Sequence, residues 1–295
     1  MFIDSFIGFL RVEKNYSQHT LRAYVNDLRS FQSYIAGVDE SLSFGDVDVD
    51  VVRAWMATLI DNGAAPSSVS RKMSALRAFY DFLRAEGRVA HNPAASLKNP
   101  KQRKKLPIFV KEDDMDSLLD EVSFGSGYEG CRDRMMIMCF YATGVRLSEL
   151  VELDVSDVDL KRSVVKVFGK RSRERVVPFG VEMKRELELY LEQRAMLCLD
   201  SDALFVSRTG NRVSRSTVYR MVREKLSGVT SVAKRSPHVL RHSFATAMLN
   251  NEAELGVVKE LLGHKRLATT EVYTHLTFEE LKRFYKKAHP RAGSN

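Results

Sequence analysis

The stretch PAASLKNPKQRKKLP, residues 93–107, divides the chain into two parts of different character. It contains three prolines and five basic side chains. Because proline has no backbone N–H and disfavours helix in the residue before it, this stretch is expected to be extended and exposed. The sequence therefore predicts an N-terminal domain over 1–97, a basic linker over 98–107 and a larger domain over 108–295.

Apolar side chains before the linker recur with helical spacing, which predicts a compact bundle of four helices. Ser17 is the expected N-cap of the second helix, and Asp48 or Asp50 is that of the third. The predicted helices cover residues 2–12, 18–35, 49–61 and 67–85.

After the linker, helical patterns alternate with a few short strand patterns, so the predicted fold class is mainly α with a small β-sheet. Alternating side chains in 163–168 and 174–178 predict a hairpin with Lys170 in its turn. A further strand is expected over 203–206. Helices are predicted over 111–122, 128–142, 147–153, 181–197, 215–226, 238–250, 255–262, 267–275 and 278–288.

The charge of the chain is concentrated in one segment. There are 46 Lys and Arg against 38 Asp and Glu, a net charge of +8. The excess falls within residues 203–241, which contain nine basic side chains and a single acid, Glu224. Such clustering attracts a polyanion, most commonly the phosphates of a nucleic acid. A solvated surface that is merely basic is the alternative for a charge cluster taken alone.

The composition, with 44% hydrophobic and 28% charged residues, excludes disordered and collagen-like classes. No apolar run reaches the roughly 20 residues that span a bilayer, and the N-terminus lacks the features of a signal peptide. We expect a cytoplasmic protein. The cysteines are odd in number and have neither disulfide nor zinc spacing, so a buried structural role is expected for Cys131, Cys139 and Cys198.

Four short segments after the linker concentrate arginine, histidine, lysine and tyrosine. They are ATGVRLSEL at 142–150, FGKR at 168–171, PHVLRHSF at 237–244, and LGHK at 262–265 followed by YTH at 273–275. Each segment taken alone is a weak signal, because arginines pair with nearby acids on helices and a lone tyrosine is usually a packing residue.

A zinc-hydrolase interpretation was weighed for His238 and His242, which lie four residues apart and share a helix face. That motif requires a glutamate directly after the first histidine, where this chain has Val239. Neither a Walker loop nor a dinucleotide fingerprint is present in the sequence. We therefore expect no metal and no bound cofactor.

Taken together, the four segments resemble the signature of the tyrosine recombinase family, the lambda-integrase type, and are most similar to its Xer subgroup. The similarity spans nearly the whole chain, because this family joins a four-helix core-binding domain to an α+β catalytic domain through a basic linker. It implies that Tyr273 is the nucleophile. The implied catalytic residues are Arg146, Lys170, His238, Arg241, His264 and Tyr273.

The resemblance implies a site-specific recombinase that cuts and rejoins duplex DNA through a 3′-phosphotyrosyl intermediate, without metal or ATP. Arg146 and Arg241 suit this chemistry because guanidinium groups make bidentate bonds to phosphoryl oxygens. Lys170 is the expected general acid for the leaving 5′-oxygen. Glu149 and His242 are expected to orient the catalytic groups, and a plain salt bridge is the alternative for Glu149.

Candidate DNA contacts lie in three basic regions, for which a solvated surface is the alternative. Arg71, Lys72 and Arg77 share the last helix of the N-terminal domain with several serines. A helix face of this kind suits contact with a DNA groove or backbone. The other candidates are Lys101, Arg103 and Lys104 in the linker, and Arg215 and Arg220 in the basic segment.

The last predicted helix, 277–288, has a capping-box pattern and one apolar face. Packing on its own domain is the ordinary interpretation of such a face, whereas the resemblance implies that the helix docks on a neighbouring protomer and closes a tetramer, of one chain type or two. A DNA translocase or accessory protein is a further implied partner, and no membrane partner is expected.

The resemblance to the Xer subgroup implies a role in chromosome-dimer resolution, and three other functions compete with this one. They are integration or excision of a mobile element, nicking and resealing without strand exchange as in type IB topoisomerases, and DNA-binding regulation without chemistry. The bundle domain and docking helix argue against the second, and the presence of all six implied catalytic residues argues against the third.

Overall fold

The computed structural model describes residues 2–101, 107–169, 174–197, 200–263 and 277–293. The chain forms two compact units, over residues 1–105 and 106–295, and each is described separately below.

The described part of the first unit contains four helices, as the sequence predicts. Ser17 caps α2 by accepting a hydrogen bond from the backbone N–H of Thr20. Asp48, rather than Asp50, caps α3. The helices are α1 (Phe2–Val12), α2 (Gln18–Val38), α3 (Val49–Asp61) and α4 (Pro66–Ala85).

Aromatic side chains form the centre of the first core. Phe79 of α4 is fully buried, and its ring lies 5.5 Å from that of Phe6 and 4.9 Å from that of Phe44. Such edge-to-face packing fixes α4 against its neighbours through one apolar face. The same helix carries Arg71 and Lys72, which pair with the buried Asp27 of α2.

The described part of the second unit is also mainly helical. The second half of α6 is buried on all sides, since every residue from Met135 to Thr143 is buried. The helices are α5 (Glu112–Asp120), α6 (Gly127–Thr143), α7 (Leu147–Glu152), α8 (Val181–Ala195), α9 (Arg215–Ser227), α10 (Pro237–Asn250), α11 (Leu255–Leu262) and α12 (Phe278–Ala288), with a 3-10 turn at Val155–Asp157.

Three antiparallel strands form a sheet in the order β1 (Val158–Asp159), β2 (Val164–Phe168) and β3 (Glu174–Pro178). The predicted hairpin is confirmed for β2 and β3, in a register that places Val167 opposite Arg175. The short strand β1 pairs with β2 and was not predicted.

The strand predicted at 203–206 is wrong, because only isolated bridges form at Ala203 and Val206. Two of its carbonyls are bonded to side chains of α8 and not to a neighbouring strand. The Tyr190 hydroxyl donates to the carbonyl of Leu204 at 2.7 Å, and the Arg194 guanidinium donates to that of Ala203. The helix predicted over 267–275 lies outside the described residues.

The cysteine prediction is confirmed for Cys139, which is buried in α6. Burial raises the pKa of its thiol to about 12, so it remains a protonated packing group. Cys131 is half-buried, and Cys198 lies outside the described residues.

The end of the described chain packs on its own unit. Helix α12 begins with the predicted capping box of Thr277 and Glu280. It buries Leu281 and Tyr285, and the carbonyl of Ala292 beyond it accepts a hydrogen bond from the N–H of Val181 at 3.1 Å.

No helix in the described ranges combines the length and the apolar character that a membrane span requires.

Candidate active site

A glycine turn between α6 and α7 sets the geometry of the candidate site. Gly144 ends α6 in the left-handed conformation, with φ of 61°. A Cβ at this position would lie 2.4 Å from Cδ1 of Phe244 and 2.8 Å from Cδ2 of Leu262. Only glycine fits both the backbone conformation and this close packing. The turn brings α7, α10 and the end of α11 together.

Arg146 lies at the start of α7 and is held by Glu149. The Arg146 backbone N–H donates to Oε2 of Glu149 at 2.8 Å, and its Nη1 donates to Oε1 at 2.6 Å. Its Nη2 lies 3.4 Å from the carbonyl oxygen of Gly263. The Arg146 side chain is 37% exposed, whereas the Glu149 side chain is 3% exposed. Glu149 therefore forms a salt bridge with a cation that still faces solvent, and its orienting role in catalysis stays a prediction.

Glu149 stays ionised despite its burial. Burial acts to raise the pKa of this carboxyl, but hydrogen bonds and charge from Arg175, together with bonds from Arg146, outweigh it and lower the pKa to about 2. A permanent negative charge behind Arg146 results. It favours one guanidinium orientation throughout the physiological pH range.

Arg241 lies inside α10 and is almost completely buried. Its Nη1 donates to the carbonyl of Gly144 and its Nη2 donates to that of Leu262 at 2.6 Å. Burial, followed by the charge of Arg146, lowers the pKa of Arg241 to about 10. The group is still cationic at neutral pH, and it is fixed in place before any substrate binds.

His238 and His242 lie on one face of α10, with ring centroids 5.0 Å apart. Burial lowers the pKa of His238, and the adjacent His242 and Arg241 lower it further. Burial and the charge of Arg241 likewise lower the pKa of His242. Both rings are therefore mainly neutral at pH 7, a state in which one nitrogen donates and the other accepts a proton.

A pocket of about 510 Å³ brings several of these groups to one surface. Three of the predicted catalytic residues, Arg146, His238 and Arg241, line it together with Arg215 from α9. Cations and a neutral histidine around one cleft can bind a phosphodiester and stabilise charge on its oxygens. The lining residues are Val145, Arg146, Leu147, Ser148, Arg215, Tyr219, Lys234, Ser236, Pro237, His238 and Arg241.

Three predicted catalytic residues, Lys170, His264 and Tyr273, lie outside the described residues. Their places in the chain are fixed by the described elements on either side. Lys170 falls between β2 and β3, whereas His264 and Tyr273 fall between α11 and α12.

Two residues at the site were not given a role by the sequence. Lys234 lines the pocket, although it stood out in the sequence only as one charge of the basic segment. Arg175 supports Glu149 from β3. An arginine in a hairpin usually faces solvent, and the alternation of β3 does not show that Arg175 faces Glu149. No local signal in the sequence therefore identifies Arg175.

The predicted DNA contacts of the first unit are placed differently from one another. Arg71 and Lys72 both pair with the buried Asp27. Arg77 is half-buried and donates to the carbonyls of Ala94 at 3.0 Å and Leu97 at 2.7 Å, so it ties the end of the unit to α4. A DNA contact remains a prediction for Arg71, Lys72 and Arg77.

The remaining predicted contacts lie in the linker and on α9. Lys101 is exposed, and Arg103 and Lys104 lie outside the described residues. Arg215 and Arg220 are exposed on α9, where Arg215 makes a 3.3 Å ion pair with Glu152. An exposed pair of this kind is weak, so a phosphate can replace the carboxylate at little cost.

Within the part of the chain that the structure describes, no three His, Cys, Asp or Glu side chains are grouped as metal ligands would be. His238 and His242 are adjacent, but the ligand set for zinc is incomplete around them.

Comparison with known proteins supports a single family for the whole chain. Residues 3–87 match the N-terminal SAM-like domain of phage integrases, and residues 109–280 match the phage integrase family. The chain is 39% identical to the tyrosine recombinase XerC of Pelotomaculum thermopropionicum, over 98% of each chain. It is 37% identical to the tyrosine recombinase XerD of Oceanobacillus iheyensis, also over 98% of each chain.

A solved structure agrees with this fold. The site-specific recombinase XerH, bound to its palindromic difH substrate in a post-cleavage complex, matches with a TM-score of 0.74 and 21% identity. The match covers 92% of this chain and 81% of that one.

The chain therefore belongs to the phage integrase family of tyrosine recombinases. Within that family it is an Xer-like protein, similar over its length to both XerC and XerD, and thus a site-specific DNA recombinase enzyme.

Proposed function

We propose that this Xer-like recombinase resolves chromosome dimers by cutting and rejoining duplex DNA through a 3′-phosphotyrosyl linkage to Tyr273. The observation that supports this most directly is the convergence of Arg146, His238 and Arg241 on one pocket. These residues come from separate segments of the chain, and the network behind them holds the two guanidinium groups in fixed positions.

The proposed chemistry begins with attack of the Tyr273 oxygen on a phosphorus atom of the DNA backbone. The bond between phosphorus and the 5′-oxygen of the downstream nucleotide breaks as the bond between phosphorus and the tyrosine oxygen forms, so the upstream 3′-end becomes linked to the protein. Arg146 and Arg241 stabilise the negative charge that grows on the phosphoryl oxygens. Because their guanidinium groups are already oriented, little free energy is spent on reorganising them during the reaction.

Proton transfer completes the step. A tyrosine hydroxyl has an unperturbed pKa near 10, so Tyr273 requires a base or a cationic pocket. His238 is neutral at pH 7 and suits the role of proton acceptor. Lys170 donates a proton to the leaving 5′-oxygen, and His264 adds a hydrogen bond to the phosphoryl group. Attack of a 5′-hydroxyl on the phosphotyrosine reverses these transfers and reseals the strand.

The two parts of the chain have different proposed roles. Residues 1–97 form a core-binding domain that contacts DNA through α4, and 98–107 lie along the phosphate backbone as a linker. Residues 108–295 carry the catalytic pocket and the basic helix α9. The exposed cations of α9 beside the pocket support a DNA surface continuous with the site.

We also propose that four protomers assemble on DNA, of one chain type or two, through exchange of α12. The tail that follows α12 is held by individual ion pairs, which suits exchange of α12 and the tail between protomers. Beyond the helix, Arg291 forms ion pairs with Asp116, Asp120 and Glu182. The same groups can hold the tail of a neighbouring protomer, and a DNA translocase or accessory protein can bias that exchange. Chromosomal DNA as substrate places the reaction in the cytoplasm.

A nicked duplex that carries a candidate recombination site tests the chemistry. The nick lets the cleaved end diffuse away, so a covalent protein–DNA adduct accumulates and is seen by denaturing electrophoresis. We expect an adduct without added magnesium and none with Tyr273→Phe. Binding without an adduct by the wild-type protein would favour a DNA-binding regulator, and an adduct from the Phe variant would exclude Tyr273 as nucleophile.

A further inference from the structure

Arg175 of β3 binds both oxygens of the buried carboxylate of the site. Its Nη1 donates to Oε1 of Glu149 at 3.0 Å, and its Nη2 donates to Oε2 at 2.7 Å. This is a bidentate pair between a guanidinium that is 13% exposed and a carboxylate that is 3% exposed. Such pairs fix both partners in orientation as well as distance.

The carboxylate that Arg175 holds is the one that orients Arg146. Glu149 uses Oε1 for the Nη1 of Arg146 and Oε2 for its backbone N–H. Each oxygen of Glu149 therefore accepts one hydrogen bond from Arg146 and one from Arg175. Rotation of the Glu149 carboxylate would break contacts on both sides, so Arg175 limits the positions that Arg146 can occupy.

Arg175 also binds the end of α11. Its Nε donates to the carbonyl of Leu261 at 3.0 Å, and its Cδ would lie 3.2 Å from a Cβ at Gly263. Gly263 has φ of 62° and ends α11 directly before His264 in the chain. One side chain thus links β3, which follows the Lys170 turn, to α7 and to the end of α11.

We propose that Arg175 is a positioning residue for DNA cleavage, which fixes Arg146 through Glu149 and holds the end of α11 against β3. This inference rests on the function proposed above. Arg175 lies outside the residues that line the pocket and acts on the phosphate only through its neighbours. A lysine cannot reproduce its role, because an ammonium group lacks the planar fork that binds both carboxylate oxygens and a carbonyl.

The test compares Arg175→Gln with wild type in single-turnover cleavage of the nicked duplex and in DNA binding. We expect adduct formation to slow by about 100-fold, as small misplacements of catalytic groups do. The Kd for DNA should stay within about twofold, because no phosphate contact is removed. Arg175→Lys should recover only part of the rate, and it serves as the second variant if the Gln variant does not fold.

Arg134→Gln is the matched control. Arg134 pairs with the half-buried Glu186 and donates its Nε to the carbonyl of Leu119 at 3.1 Å, so it makes the same kinds of contact away from the pocket. We expect this variant to lose stability without the selective loss of cleavage. Equal loss of cleavage in both variants would overturn the proposal, because Arg175 would then act only through general stability.

A double variant tests whether Arg175 acts through Glu149. We expect adding Arg175→Gln to Glu149→Gln to slow cleavage by a smaller factor than Arg175→Gln causes in the wild type, since the interaction through Glu149 is already lost and only the contact with Leu261 remains to be removed. Fully multiplied effects of the two changes would overturn the proposal.

The pH profile gives a readout that a merely structural role would not change. The charged groups that face Glu149 in the described structure are Arg146, Arg175 of β3 and Arg241 of α10. Without Arg175, fewer hydrogen bonds and positive charges oppose the effect of burial, so the pKa of Glu149 rises. Glu149 then takes up a proton at higher pH and releases Arg146. Cleavage by Arg175→Gln should therefore fall more steeply than wild type as the pH decreases from 7.5 to 5.5.

The inference would be overturned by pH profiles of the same shape for the wild type and Arg175→Gln, or by cleavage at the wild-type rate in Arg175→Gln. Either result would leave the proposed function intact. Failure of the wild-type protein itself to form an adduct would overturn the proposed function and this inference with it.

Discussion

Arg241 of α10 donates a hydrogen bond to the carbonyl oxygen of Gly144, the residue that ends α6. The two residues are 97 positions apart, and the bond is buried. Gly144 thus has two tasks, since its backbone conformation turns the chain toward Arg146 and its carbonyl holds the second arginine of the pocket. This contact joins the turn that precedes Arg146 to the second guanidinium that is proposed to bind the scissile phosphate.

Gly144→Ala is expected to destabilise the protein and to abolish cleavage. A Cβ there would meet the Phe244 ring at 2.4 Å, and alanine would also have to adopt a positive φ. Overpacking and the left-handed conformation together cost about 2–5 kcal/mol of the free energy of unfolding. Chemical denaturation of the whole chain measures this loss.

Gly125→Ala separates these two effects. Gly125 also has a positive φ, but a Cβ there would meet nothing within 4 Å. We expect a cost of about 1 kcal/mol and normal cleavage. Equal destabilisation by the two variants would show that the packing around Gly144 is not what makes glycine necessary.

Arg241→Lys should retain DNA binding but lose most cleavage. Lysine preserves the charge yet can reach only one of the two carbonyls that Arg241 now binds, at Gly144 and Leu262. Removal of one preorganised hydrogen-bond donor from such a site lowers the cleavage rate by about 100- to 1,000-fold. Single-turnover adduct formation and a gel-shift titration measure the two quantities. Loss of binding in proportion to cleavage would contradict a role confined to the transition state.

The sequence predicted those parts of the fold that local patterns determine. The cap at Ser17, the capping box of Thr277 with Glu280, and strands β2 and β3 all follow from side chains within a few positions of one another. The backbone conformation there is selected by neighbours in the chain, so a pattern of single residues is sufficient to predict it.

The remaining features depend on partners that are distant in the chain. The segment predicted as a strand at 203–206 is buried, but Tyr190 and Arg194 of α8 bind two of its carbonyls. At the site, Arg146 and Arg241 were identified by their family signature, whereas Arg175 was missed because its direction depends on the buried position of Glu149. Tertiary contacts of this kind leave no periodic signal.

Arg71→Gln and Lys72→Gln should have different effects although both side chains pair with Asp27. The Arg71 side chain is 45% exposed, whereas that of Lys72 is 17% exposed and lies 5.7 Å from the centre of the Trp55 ring. We expect Arg71→Gln chiefly to weaken DNA binding and to reduce the slope of log K against log salt by about one. Lys72→Gln should chiefly lower the melting temperature.

Arg53→Gln is the control for the loss of one positive charge, since Arg53 is exposed on α3 and pairs with Asp50. We expect it to leave the salt slope unchanged. A slope reduced equally by Arg53→Gln and Arg71→Gln would indicate that net charge alone, and not the face of α4, determines DNA affinity.

His289 should make the stability of the catalytic unit depend on pH. The ring stacks on Tyr285 with an angle of 13°, and its Nε2 lies 3.0 Å from the carbonyl of Tyr141. Burial lowers the pKa of His289 to about 4, and Arg291 contributes in the same direction. Because the unfolded chain binds this proton more readily, the stabilisation is fully present above pH 6.5 and is lost as the pH falls toward 4. The difference corresponds to about 3 kcal/mol.

His289→Gln removes the titrating group while it keeps a hydrogen-bonding side chain at this position. We expect the variant to be less stable at pH 7.5, where the wild-type ring is neutral and fully packed. Between pH 7.5 and 5.0, however, its melting temperature should decrease less than that of the wild type, as followed by circular dichroism. His91→Gln, at an exposed position in the first unit, is the control. An equal decrease for wild type and His289→Gln would mean that protonation of His289 does not destabilise the packing of α12.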